Sequence, residues 1–159
     1  MKLDYREIGR YMRMGTMPLE GELLRRVEAL VAEAPIQPRS VWKREGDRVY
    51  LCGTIGAAFD AWQRRLSLFS SADALMAQAI GTTAIEQVMD DLEAEIRPTL
   101  REGEKLQPRR SPGYGKMPLS LSREILDLLE AAHKVGVTLT DSLLLLPSKS
   151  VTAICEVVR

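Results

Sequence analysis

The residues best equipped for chemistry lie together in Pro108-Arg109-Arg110-Ser111-Pro112-Gly113-Tyr114-Gly115. A planar guanidinium can clamp a carboxylate through two parallel N–H bonds, and a phenol ring offers an apolar face that also attracts a ligand cation. Pro112-Gly113 can hold an irregular backbone with N–H and C=O groups left available. Together these suit a small zwitterionic ligand with a flat ring; the plainer alternative is an ordered connector punctuated by Pro and Gly. Upstream, Glu86 follows a stretch of small residues, and its neighbours Ile85 and Val88 are core-like. It reads either as a surface glutamate or as an acid brought to the same site. Asp90, Asp91, Glu93 and Glu95 read as the solvated face of one long helix.

Other chemistries find little support. His133, the one histidine, precedes Gly136 in a His-x-x-Gly pattern like that by which cobalamin domains offer a lower ligand to cobalt, but Ala131 stands where the aspartate belongs. It reads instead as a cap on a helix C-terminus. Thr54-Ile55-Gly56-Ala57-Ala58 has neither a phosphate-loop lysine nor the Gly-x-Gly-x-x-Gly of a dinucleotide site, and no Gly-x-Ser-x-Gly occurs. Cys52 and Cys155 are too few for a zinc site or a disulfide framework and sit among apolar neighbours as buried thiols do. With 22 basic against 22 acidic side chains the net charge is zero, so no field draws in nucleic acid or an anionic membrane. The longest aliphatic run, Leu143–Leu146, is far short of the roughly 20 residues of a membrane span, and Met1–Glu7 has no apolar leader. A soluble, unexported, cytoplasmic protein is expected.

These residues need elements to position them. At 159 residues the chain suits a single domain over 1–159. Apolar spacing predicts a short helix near 4–14 and another over 18–34 with Pro18 in its first turn. A hairpin follows, with Val41-Trp42 and Val49-Tyr50-Leu51 around Glu45-Gly46-Asp47, and Gly53 and Gly56 turn the chain into helix near Thr54. Ser70 or Ser71 caps the longest helix, which Pro98 stops, and its small middle residues allow another backbone to come close. A last helix starts at Leu121 and carries His133 and Lys134 in its final turn before Gly136. The tail reads as two strands, within 142–146 and 150–158, around Pro147-Ser148-Lys149. The fold class is α+β: helices packed on a small, mainly antiparallel sheet.

In this order the motifs resemble one known family, the activation domain of cobalamin-dependent methionine synthase, in its stand-alone form. The resemblance rests on Arg109-Arg110-Ser111-Pro112-Gly113-Tyr114, similar to the family's Arg-x-x-Pro-Gly-Tyr ligand loop, and on Val135-Gly136-Val137-Thr138-Leu139-Thr140-Asp141-Ser142. It extends through Pro147-Ser148-Lys149-Ser150-Val151-Thr152-Ala153 and, upstream, Gly53-Thr54-Ile55-Gly56, covering about residues 50–155. The resemblance implies binding of S-adenosylmethionine: Arg109 on the methionine carboxylate, Ser111 and Gly113 through their backbone, Tyr114 lining the ligand and Glu86 nearby. It also implies a role in reductive remethylation of cob(II)alamin. The cobalamin would be carried by a partner, a corrinoid methionine synthase or related methyltransferase, and the electron would come from a flavodoxin-like donor. A scaffold protein for a corrinoid partner, with the ligand site lost, is the alternative.

Overall fold

The structure, a computed structural model, describes residues 1–159. Helices α1 (Tyr5–Tyr11) and α2 (Gly21–Glu33) precede a hairpin of β1 (Arg39–Glu45) and β2 (Arg48–Thr54). Helices α3 (Ala57–Phe69) and α4 (Ser71–Ile96) follow, then a single 3-10 turn (Arg97–Thr99) and the short strand β3 (Lys105–Leu106). The chain closes with α5 (Leu121–Leu129), α6 (Ala131–Lys134), β4 (Thr138–Leu139), β5 (Leu145–Leu146) and β6 (Ser150–Val158). The main sheet has the order β1-β2-β6-β3, all antiparallel, and β4 pairs with β5 as a separate ribbon. This is the expected α+β arrangement. No helix is long and apolar enough to cross a membrane.

Alternation along the strands gives the sheet two apolar faces. Val49 and Leu51 of β2, with Ala153, Cys155 and Val157 of β6, pack on Met89, Leu92 and Ile96 of α4. On the opposite face Cys52 and Ile154 pack on Ile125, Leu126 and Leu129 of α5. A third cluster joins Ile8, Val27, Leu30, Phe59 and Trp62 of the first three helices to Ala77, Ile80, Ala84 and Ile85 of α4. Helix α4 is thus covered on two sides, which is why its 26 residues are apolar around most of their circumference.

Several local expectations are corrected. Pro18 precedes α2, whose first residue is Gly21. The chain does not turn into helix near Thr54: Gly53 and Thr54 stay in β2, paired with Val151 and Ser150, and α3 begins after Gly56 at φ +91°. Of the two serines expected to cap α4, Ser70 is the one that does, closing α3 through its N–H to Leu66 O and opening α4 by accepting from the Asp73 N–H. What approaches Gly81 is not another backbone but the Phe59 ring and the Lys149 stem. The last helix breaks at Glu130, which takes a left-handed conformation (φ 51°), so His133 and Lys134 end a separate short turn. The two tail strands form but do not pair with each other: β5 joins β4, and β6 lies between β2 and β3.

The connector from α4 to the ligand-loop candidate is fastened by Glu104. Its carboxylate receives both Arg44 Nη groups of β1 (3.0 and 2.6 Å) and the Arg101 N–H (2.7 Å). The Arg44 hydrogen bonds, chiefly, hold its pKa down to about 2 against an ordinary 4.5. The resulting stability is complete above about pH 4.5 and lost as pH falls toward 2. Glu104→Gln is expected to remove that acid-limb dependence, as read from urea midpoints taken between neutral pH and pH 2. At Gly81, an added Cβ would lie 2.7 Å from Phe59 Cε1 and 2.8 Å from Lys149 Cε. Gly81→Ala is therefore expected to destabilise by about 1–3 kcal/mol in thermal melts, overriding the helix preference for Ala.

Candidate functional site

Strand β6 organises the site through its outer edge. Residues 105–110 run antiparallel along it: Lys105 and Leu106 pair with Val158 and Val157, the Gln107 N–H donates to Glu156 O, and Arg110 and Ile154 exchange both backbone bonds at 2.9 Å. Directly opposed residues share a face. Arg110 therefore lies on the Ile154 side, where Nη2 reaches Glu156 Oε1 at 3.4 Å. Arg109 is sent to the other face, toward α4.

There three carboxylates of α4 converge on it. Arg109 Nη2 donates to Glu86 Oε2 (2.6 Å), and Nη1 donates to Asp90 Oδ1 (2.8 Å) and Glu93 Oε2 (2.5 Å). Residues 86, 90 and 93 follow the i, i+4, i+7 spacing of one helix face. Their surroundings differ: the Glu93 side chain is 9% exposed, Glu86 43% and Asp90 61%, around an Arg109 that is 18% exposed. Glu93 is therefore not part of a solvated face, contrary to the sequence reading. Its second oxygen accepts from the Cys155 thiol at 3.7 Å. Burial, reinforced by the Glu93 charge, pushes that thiol up to about 12, so it stays protonated. Burial alone would lower the Arg109 pKa, but the hydrogen bonds to Asp90 and Glu86 and the charges of Glu86 and Glu93 outweigh it and keep the guanidinium charged.

Beyond Arg109 the loop turns on itself. The Gly113 N–H donates to Met117 O at 2.9 Å, Tyr114 N–H to Ser111 O and Met117 N–H to Tyr114 O, with Gly113 and Gly115 at positive φ. Facing it is the β4–β5 connection, closed by Thr140, whose Oγ1 accepts from the Leu144 N–H at 3.1 Å. Between the two lies a cleft of about 890 Å³. Its walls are the loop and Leu143–Leu146, and its floor includes Val151, Thr152 and Ser122. Ser122 and Thr152 satisfy each other across the floor, their hydroxyls 3.1 Å apart. A second hollow of about 500 Å³, lined by Glu93, Arg97, Leu106 and Pro108, meets the first at Glu86 and Arg109, which border both.

Of the residues singled out from sequence, Glu86, Arg109, Ser111 and Tyr114 all border the main cleft, and Glu86 touches Arg109 directly. Gly113 does not line it; its N–H is engaged inside the loop. Sequence reasoning missed Asp90 and Glu93 as partners of Arg109, although their spacing from Glu86 carries the signal. It also missed the serine and threonine floor.

No protein-family model matches the chain, and no curated protein does. Among solved structures the chain is similar to the MetH reactivation domain bound to AdoHcy, with a TM-score of 0.67 and 17% identity over 91% of this chain and 68% of that one. The fold is therefore that of a methionine synthase reactivation domain.

Removing Arg109 leaves Glu93 facing two other carboxylates with no cation between them. Arg109→Ala is expected to lower stability by roughly 2–3 kcal/mol, less than a fully buried pair because Asp90 and Glu86 reach water. Glu86→Gln should cost well under half of that in the same denaturation experiment.

Proposed function

We propose that the cleft binds S-adenosylmethionine and that the protein serves as an activation subunit for a corrinoid methionine synthase or a related methyltransferase. The observation that carries this reading is the Glu86–Arg109 ion pair at the cleft wall, an acid and a guanidinium side by side beside an aromatic loop. A zwitterionic amino-acid group can insert into such a pair without leaving either charge alone: its carboxylate takes Arg109 Nη2, and its ammonium takes the displaced Glu86. Glu86 is the carboxylate suited to move, being half-exposed and on the cleft side. Tyr114, exposed at the rim, covers the bound ligand, and Ser111 offers backbone groups. The fold likeness to a reactivation domain supports the same reading.

The corrinoid belongs to the partner on this reading. Cobalamin supplies the methyl-accepting centre when the partner docks, with an electron from a flavodoxin-like donor. This chain's contribution is to bind and orient the methyl donor. The scaffold reading is favoured by one observation, that Arg109 already has three carboxylate partners.

Isothermal titration with S-adenosylmethionine decides between them. Wild-type protein is expected to bind saturably, folded Arg109→Ala to show no binding, and Tyr114→Ala, altered only at an exposed position, to bind about tenfold more weakly. No binding by wild type would turn the reading to the scaffold role, with recovery of a corrinoid protein unaffected by Arg109→Ala as its mark.

A further inference from the structure

We infer that Glu93 is the positioning residue of the Arg109 clamp, fixing the guanidinium from behind so that its cleft-side N–H groups await a ligand carboxylate. The inference rests on reading the cleft as an S-adenosylmethionine site. An arginine has five N–H donors. Both on Nη1 are engaged, by Asp90 and Glu93, and one on Nη2 by Glu86, which leaves the Nε–H and the second Nη2–H. The three carboxylates are not equivalent. Glu86 borders the main cleft and is half-exposed; Glu93 is absent from that cleft, lines the hollow behind Arg109, and is nearly enclosed.

Glu93 is itself held at both oxygens, one on Nη1 and the other receiving the Cys155 thiol from β6. It sits on α4 directly after Leu92 and one turn beyond Met89, both buried against the sheet. Arg109 therefore has a fixed end and an exchangeable end. The side chain of arginine is long and loses much rotamer freedom when it clamps a ligand; a guanidinium already held on one edge loses less at the moment of binding. A neutral amide at 93 would still accept a hydrogen bond, but the charge that keeps Nη1 in place would be gone.

The role has a signature that a merely structural one lacks. S-adenosylmethionine carries the carboxylate that Arg109 would hold, whereas 5′-methylthioadenosine shares the adenosine and sulfur but has no amino-acid group. Titration of full-length protein with each should show Glu93→Gln weakening S-adenosylmethionine by about tenfold while leaving 5′-methylthioadenosine within twofold of wild type. If Glu93→Gln does not fold, Glu93→Asp, which keeps the charge but draws it back by one methylene, takes its place with the same expectation. Unchanged affinity for S-adenosylmethionine, or an equal loss for both ligands, would overturn the positioning role while leaving the cleft reading intact. Wild-type protein that binds neither ligand would remove the cleft reading and the inference together.

Discussion

Burial of α4 on two sides is the constraint from which the rest follows. A helix packed against α1–α3 on one side and the sheet on the other has only a narrow strip left for polar groups, and in α4 that strip includes Glu86, Asp90 and Glu93. A carboxylate enclosed as Glu93 is needs a cation, and Arg109 is the one delivered to it and to its two more exposed neighbours. The apolar demands of the core thus decide where the polar site can lie.

Delivery depends on the edge of β6. Because the Arg110–Ile154 pair is offset by one residue from the Leu106–Val157 pair, a one-residue bulge at 108–109 decides that Arg109 meets α4 and Arg110 meets Glu156. The same strand carries Ser150, Val151 and Thr152 into the cleft, so it both forms the floor and holds the segment of the clamp. Lys149, just before them, points the other way, into the crossing of α3 and α4 beside Gly81. Burial there lowers its pKa, with Asp60 partly opposing.

Much of this was legible in the sequence because it is written in local chemistry. The hairpin, the capped long helix and the Pro-Gly loop each follow from residue types at short spacing, and Glu86, Arg109, Ser111 and Tyr114 do border one cleft. What was not legible needs a partner far along the chain. Glu93 looks like any exposed helical glutamate until Arg109, sixteen residues on, is folded back over it. The break at Glu130 carries neither Gly nor Pro, and β5 takes β4 rather than β6 because β6 is already paired on both edges. Gly53 and Thr54 continue their strand because β6 lies opposite to receive them.

The tandem arginines acquire a meaning from that edge pairing. Where a pleated segment fixes which side chain faces the helix, a slip of one residue ordinarily inverts every side chain and destroys a site. Here the residue after Arg109 is another arginine, so the shifted segment would still present a guanidinium to the carboxylates of α4. The doubled residue covers a slip in that one direction; a slip the other way would bring Pro108 to the carboxylates and leave them without a cation.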